Sequence, residues 1–272
     1  MKNLTHRTLS AAIAILIFVT IMYFFAESGV YAMVLFAVTR GSYEMSRMFF
    51  KKTYPAFVPW FLMFVCVSTF ILCTTDNFRG LTPLVILFAF VAIIFSAIFL
   101  HKQFEQIESV LNYITFSNLS LIYTAVIPLS AAWMLYQPHG LKWFICLLVV
   151  VFAGDIGAYI FGKLFGKTKI APLLSPNKSL QGALGGLLFS TLAACLFSLV
   201  LDHVPLPILA LCGFFGGLFG QVGDFFESLI KRVAGVKDSG SIMPGHGGVL
   251  DRLDGVLLAA PLFYTAAYYL GL

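Results

Sequence analysis

Carboxylates gather in one stretch of the sequence, residues 223–255, which holds five of the twelve acids in the chain. These five are Asp224, Glu227, Asp238, Asp251 and Asp254. If the apolar run before residue 223 continues as a helix to residue 232, four polar side chains at i, i+3, i+4 and i+7 share one face. They are Asp224, Glu227, Ser228 and Lys231. Clustered carboxylates of this kind are suited to binding a hard divalent cation together with phosphate oxygens.

The second half of this stretch is a loop followed by another helix. Gly235 is expected to end the first helix, and a glycine-rich loop then carries Lys237 and a single histidine, His246. Two acids, three residues apart, open the last apolar run. We therefore predict an oxygen-rich magnesium site with four ligands: Asp224, Glu227, Asp251 and Asp254. For Glu227 an ion pair with Lys231 remains an equal alternative.

A second polar segment, residues 163–186, contains lysines and a turn signal. The sequence Ser-Pro-Asn-Lys-Ser at 175–179 indicates a turn that leads into a helix. Exposed amides at a helix N-terminus attract phosphate, and Lys178 adds a positive charge there. The other lysines of this segment have a simpler alternative role, which is to keep the loop on the inner side of a membrane.

Asp155 lies inside an apolar run, with Tyr159 and Gly162 on the same helical face. An acid within a membrane helix is costly and is a functional candidate by default. Its alternative is a helix–helix ion pair with a nearby lysine. Charges also interrupt the second apolar run, where Arg40, Glu44 and Arg47 indicate a structural or headgroup-facing cluster.

The pattern of these residues resembles the CDP-diacylglycerol synthase (phosphatidate cytidylyltransferase) family. The first motif is carried by Ser228, Ile230, Lys231, Arg232, Lys237, Asp238, Pro244, His246, Gly247, Gly248, Val249, Asp251, Arg252, Leu253 and Asp254. The second is carried by Asp155, Ala158, Tyr159, Gly162, Lys163, Phe165, Gly166, Lys167, Ser175, Pro176, Lys178, Ser179, Gly182, Gly185 and Gly186. Gln181 departs from the pattern, since glutamate is usual there, and this argues against a catalytic role for that position.

The resemblance implies transfer of a cytidylyl group from CTP to phosphatidate, with release of pyrophosphate, in phospholipid biosynthesis. It implies catalytic roles for Lys237, Asp238, His246 and Arg252. It implies substrate binding by Lys178, Ser179, Ser228, Lys231, Arg232, Asp155 and Tyr159. For His246 we expect a hydrogen bond to phosphate, with a role in loop structure as the alternative, because an ionised lipid phosphate needs no base.

The composition places the chain among membrane proteins. Hydrophobic residues make up 60% of the 272 residues and charged residues 11%, which is too little charge to cover a soluble surface. Nine apolar runs approach the roughly 20 residues that span a bilayer. We expect an all-α, polytopic integral membrane protein of about nine helices and one domain, 1–272. Within it, residues 1–118 form less specific spans and residues 141–272 the catalytic half. For residues 101–117 the pattern is consistent with an amphipathic surface helix and, equally, with a simple connector.

Lysine and arginine predict the orientation. With a cytoplasmic N-terminus, only Arg79 and Lys142 fall in outer loops, and the other cations outside the spans lie inside. We expect a multi-pass protein of the inner (plasma) membrane whose site faces the cytoplasm. The net charge of +5 suits anionic lipid rather than nucleic acid. A homodimer is left open.

Two other functional classes compete with the transferase. A CTP-dependent lipid kinase shares membrane helices, glycine loops and acidic sites, and a transporter also places acids within spans. No internal repeat typical of transporters is present in the sequence, and the long motifs favour the transferase. The acids of these two segments nearly balance their lysines and arginines, so protein cations alone cannot hold both negatively charged substrates. The transferase therefore requires Mg²⁺, with a second cation left open.

Overall fold

The computed structural model describes residues 2–50, 54–104, 106–242 and 247–270, with side chains from residue 16 onward. Within these residues the chain is helical and contains no strand, and an isolated antiparallel bridge joins Lys169 and Ser179. The ten α-helices are α1 (Lys2–Phe50), α2 (Val58–Thr74), α3 (Asp76–Arg79), α4 (Thr82–Phe99), α5 (Ile107–Leu121), α6 (Leu129–Met134), α7 (Gly140–Phe165), α8 (Leu180–Leu196), α9 (Leu206–Val233) and α10 (Leu250–Leu270). The predicted all-α class is confirmed.

Seven helical segments in the described part of the chain are long and apolar enough to cross a membrane. The protein is therefore a multi-pass membrane protein. The prediction of about nine spans differs only in how two segments are counted. The first two apolar runs are joined in α1, which is interrupted by non-helical backbone at Ala26 (φ 45°, ψ −123°), and the apolar helix α2 has 17 residues.

Residues 101–117 do not form a separate surface helix as the sequence pattern suggested. A short 3₁₀ turn at His101–Gln103 is followed by α5, which continues through a π-helical turn at Ile122–Val126. The polar side chains do not end the helix, since they bond within it: the Asn118 amide donates to the Ile114 carbonyl over 2.8 Å. The resulting apolar segment, Ile107–Met134, is long enough to span a bilayer.

The chain divides into two compact units, and both are discontinuous in sequence. Unit 1 comprises residues 1–132 and 236–251, and unit 2 comprises residues 133–235 and 252–272. The loop of the polar stretch thus belongs with the N-terminal helices, whereas α9 and nearly all of α10 belong to unit 2. The prediction of one domain, 1–272, stays a prediction.

Close helix contacts in unit 2 depend on small residues, as is common where lipid replaces water. A Cβ on Gly157 of α7 would lie 2.6 Å from the Gly185 carbonyl oxygen of α8. The Ser190 hydroxyl of α8 donates to the Val150 carbonyl of α7 over 2.9 Å. The α7–α8 pair therefore approaches at backbone distance, which holds residues 155–162 beside the start of α8.

Candidate functional site

The C-terminal end of α9 presents the polar face that the sequence predicted. The helix continues through Asp224 and Glu227 to Val233, and Gly235 follows with a φ of 66°, a conformation that glycine adopts without strain. At 28 residues the helix is about 42 Å long. This exceeds the roughly 30 Å thickness of the hydrocarbon core, so a polar end can extend past the lipid tails.

Three helices of unit 2 bring carboxylates together. Asp155 of α7 and Asp254 of α10 both interact electrostatically with Asp224 of α9, and with each other. The backbones of α9 and α10 meet at this level, since a Cβ on Gly223 would overlap the Asp254 carbonyl oxygen. The glycine therefore sets the spacing between two of the three acids.

Two lysines neutralise acids of this group. Lys178 Nζ lies 2.5 Å from Asp224 Oδ2 and 3.9 Å from the centroid of the Phe225 ring. Lys231 Nζ lies 2.5 Å from Glu227 Oε2, and the Glu227 side chain is only 1% exposed. The alternative predicted for Glu227, an ion pair with Lys231, is therefore present. Lys231 belongs to α9 itself, whereas Lys178 belongs to the loop that precedes α8.

The loop that delivers Lys178 is closed at its base by Gln181. Its side-chain Oε1 accepts hydrogen bonds from the backbone amides of Lys167 and Thr168, over 3.0 and 3.2 Å. The Leu180 amide donates to the Thr168 carbonyl over 2.8 Å and completes the closure. Gln181 thus has a structural role here, which agrees with the sequence argument against a catalytic one.

Restoring the acid usual at this position tests that role. We expect Gln181→Glu to retain activity within about twofold of wild type, because a carboxylate accepts the same two amides. The measurement is steady-state turnover of the purified protein. Gln181→Ala is the comparison, because it removes the acceptor of both amides and should loosen the loop. A Gln181→Glu variant with turnover lowered more than tenfold would show that the neutral amide has a further function.

Ser179 and Arg232 also contact this loop. Ser179 is the N-cap of α8, and its hydroxyl accepts a hydrogen bond from the Gly182 amide over 3.2 Å. The predicted helix N-terminus is therefore correctly located. Arg232 Nε donates to the Leu174 carbonyl over 3.4 Å. Both residues hold the shape of the segment around Lys178, and their predicted contacts with substrate stay predictions.

In unit 1, Asp251 organises the loop that precedes α10. Its Oδ2 atom accepts hydrogen bonds from the Ser239 amide (2.9 Å), the Ser239 hydroxyl (2.8 Å) and the Gly248 amide (2.7 Å). Sequence spacing had assigned Asp251 only a metal-binding role together with Asp254. The structure adds a second role, in which one carboxylate oxygen ties the two arms of the loop together.

Glu44 of α1, also in unit 1, makes contacts that sequence reasoning missed. Its side chain is 3% exposed, and its Oε2 accepts hydrogen bonds from the amides of Val249 and Leu250. The sequence analysis treated Glu44 only as part of a structural or headgroup-facing cluster. The available signal was its charge within an apolar run, the same signal that identified Asp155.

The remaining predicted residues are distributed over both units. Ser228 lies on α9, partly buried, and Tyr159 on α7 is exposed, with Lys163 Nζ 5.8 Å from its ring centroid. Lys237, Asp238 and Arg252 are exposed. His246 lies outside the described residues. Among the residues that are described, no group of three or more His, Cys, Asp and Glu side chains has the geometry to hold a metal, so the four-ligand magnesium site stays a prediction.

Comparison with known proteins agrees with this arrangement. The model of the cytidylyltransferase family matches residues 5–270. A phosphatidate cytidylyltransferase of Staphylococcus epidermidis is 44% identical over 127 residues, covering 46% of this chain and 49% of the relative. That of Bacillus subtilis is 39% identical over 161 residues, with 56% and 60% covered. That of Mycobacterium leprae is 38% identical over 172 residues, with 60% and 55% covered.

The chain thus spans about half the length of the curated relatives it matches. The family match, in contrast, includes every charged residue of the unit 2 site and also Glu44 and Asp251 of unit 1. Since it extends over nearly all 272 residues, the chain belongs to the cytidylyltransferase family.

Proposed function

We propose that this protein is a phosphatidate cytidylyltransferase, which converts CTP and phosphatidate into CDP-diacylglycerol and pyrophosphate. The observation that carries the proposal is the meeting of Asp155, Asp224 and Asp254 with Lys178 in one helical unit of a membrane protein. Such a group handles phosphate and metal, and its location on membrane helices suits a lipid acceptor. The relatives that match part of the chain carry the same activity in their names.

The charges of unit 2 explain why a cation is part of the proposal. Lys178 and Lys231 are already paired with acids, while Asp155 and Asp254 form no ion pair among the described residues. CTP and phosphatidate together bring about five or six further negative charges. Protein cations alone therefore leave a negative excess at this site.

Mg²⁺ suits the donors that are present, since all of them are carboxylate oxygens. We propose that Asp224 and Asp254 hold it, with Asp155 beside them. Glu227 is less suited, because Lys231 occupies one of its oxygens, and Asp251 uses one oxygen to hold its loop. The ion would neutralise phosphate charge in the reaction. The protein side chains would bind and orient the two substrates.

Those side chains bind and orient the two phosphate groups. Lys178 can exchange Asp224 for a CTP phosphate, because its side chain is 26% exposed and stands on the loop before α8, separate from α9. Lys231 and Arg232 offer further positive charge at the end of α9. An oxygen of the lipid phosphate then attacks the α-phosphorus of CTP in line with the departing pyrophosphate. Positioning and charge stabilisation suffice for such a step, since the nucleophile is already ionised.

The fate of each phosphorus distinguishes this reaction from that of a lipid kinase. With CTP labelled at the α-phosphorus, we expect label in the lipid product and an equal amount of pyrophosphate. With label at the γ-phosphorus, none should enter lipid. The assay uses purified protein with phosphatidate and Mg²⁺, and diacylglycerol replaces phosphatidate in the control. Transfer of γ-label to lipid with accumulation of CDP would overturn the proposal in favour of a kinase.

We also propose that the site faces the cytoplasm, where CTP is found, from the inner membrane of the cell. The support is the asymmetry of lysine and arginine between the predicted inner and outer loops. Cysteines introduced at the exposed positions Asn177 and Ser241, in a variant without native cysteines, should react with impermeant thiol reagents only in inside-out vesicles. A cysteine at Asp76 serves as the control from the opposite side. Labelling of Asn177 and Ser241 in intact cells would reverse the orientation.

A further inference from the structure

Glu44 and the loop at 236–251 both belong to unit 1, and Glu44 forms hydrogen bonds with the C-terminal end of this loop. Its Oε2 accepts the Val249 amide over 2.8 Å and the Leu250 amide over 3.2 Å. These two amides open α10, where backbone N–H groups lack partners within the helix. The carboxylate therefore caps a helix from a distant segment, and the positive end of the helix dipole favours its charge.

The Glu44 carboxylate also lies close to Ser239, in the N-terminal part of the same loop. The Ser239 hydroxyl lies 3.4 Å from Glu44 Oε2, and it also lies 2.8 Å from Asp251 Oδ2. A hydroxyl has one proton, so the shorter contact with Asp251 takes it. Glu44 therefore acts mainly through the two amides, and Asp251 joins the two arms of the loop on the other side of Ser239.

Glycines in the loop leave room for this carboxylate. A Cβ on Gly240 would lie 2.7 Å from Glu44 Oε1, and one on Gly248 would lie 2.4 Å from Oε2. Arg40 Nη2, 3.7 Å from Oε1, supplies the neutralising charge one helical turn away. Burial of an acid at 3% exposure is expensive unless its partners are fixed, so this arrangement specifies one loop conformation.

We infer that Glu44 is a positioning residue: within unit 1 it fixes the start of α10 and the loop that bears Lys237 and Asp238, the two loop residues with predicted catalytic roles. The inference rests on the proposed function for its effect on turnover, but not for its effect on the loop. Glu44 itself need not contact either substrate. Loss of its charge or length should misplace groups that act on the phosphates, and small displacements reduce rates strongly.

Two variants separate length from charge. Glu44→Ala removes the acceptor and leaves buried amides without a partner, so we expect kcat to fall by about 10²-fold. Glu44→Gln keeps an acceptor oxygen of the same reach and should restore kcat to within about tenfold of wild type. Glu27→Gln, at an exposed position on the same helix, is the matched control and should leave kcat unchanged.

Thiol labelling provides a readout that does not depend on the reaction. In a variant without native cysteines, the labelling rate of a cysteine at Ser241 should rise at least about fivefold with Glu44→Ala and less with Glu44→Gln. A cysteine at Asn177, on the unit 2 loop, should label at an unchanged rate. If the Ala variant does not fold, Gly240→Ala displaces the carboxylate instead, with Gly80→Ala, where a Cβ meets nothing within 4 Å, as its control.

The kcat values and the Ser241 labelling rates test different parts of the inference. An unchanged Ser241 labelling rate in folded Glu44→Ala, or in Gly240→Ala, overturns the inference. Faster labelling together with unchanged kcat shows an anchored loop that catalysis does not require, and it also overturns the positioning role. If wild-type protein transfers no cytidylyl group, the proposed function fails, and the labelling rates still decide whether Glu44 fixes the loop.

Discussion

Replacing Asp224 by asparagine is expected to lower kcat by about 10²-fold or more while leaving a folded, membrane-inserted protein. The change removes the negative charge of Asp224, which interacts electrostatically with both Asp155 and Asp254. It also releases Lys178 from its ion pair. The amide has nearly the same shape as the carboxylate, so the loss measures charge rather than packing. Turnover is measured with purified protein across a titration of Mg²⁺.

Asp202→Asn is the matched control, since that side chain is 88% exposed and lies on the loop before α9. It should retain wild-type kcat and the same dependence on Mg²⁺. If Asp224→Asn keeps near-normal turnover at every Mg²⁺ concentration, Asp224 is not part of the metal-binding group. In that case its only role would be to hold Lys178.

Gly223→Ala is expected to abolish most activity, with a loss of about 10²-fold, although it adds only one methyl group. The new Cβ would overlap the Asp254 carbonyl oxygen, and this contact is with backbone rather than with a flexible side chain. The helices α9 and α10 must therefore separate. Their separation moves Asp254 away from Asp224, so the two acids could no longer hold the proposed Mg²⁺ together.

Gly220→Ala, one turn earlier on the same helix, provides the comparison. Its Cβ would meet Val151 at 3.7 Å and the Gly255 carbonyl at 3.8 Å, which are ordinary contacts. We expect full activity and a slightly more stable helix, by up to about 1 kcal/mol. Thermal unfolding in detergent and turnover are measured for both variants. Equal activity of the two alanine variants would contradict the assignment of Gly223 as the spacer.

The sequence predicted those parts of the site that depend on local pattern. Helical periodicity correctly placed Asp224, Glu227 and Lys231 on one face, because side chains three and four residues apart are neighbours whatever surrounds them. Gly235 ended that helix as expected. The turn before α8 was also found from residue types alone. Each of these features is decided within about one helical turn.

The parts that the sequence did not predict depend on distant contacts. Nothing in the composition of α1 shows that Glu44 accepts the Val249 amide, because these residues are separated by 205 positions. The role of Asp251 in its loop was missed for a related reason, since the loop must fold back before Ser239 reaches it. The kink at Ala26 and the continuation of α5 also depend on packing, which hydropathy does not measure.

The distance along the chain between Glu44 and the loop also has a consequence for the order of assembly. A ribosome adds about 5 to 20 residues per second, so roughly 10 to 40 s separate synthesis of Glu44 from synthesis of Val249. Through that interval α1 carries a carboxylate whose backbone partners do not yet exist. The amides that donate hydrogen bonds to it, those of Val249 and Leu250, are synthesised only at the end of that interval. The contacts of Glu44 with the loop would therefore form late, after α2 to α9 have been synthesised.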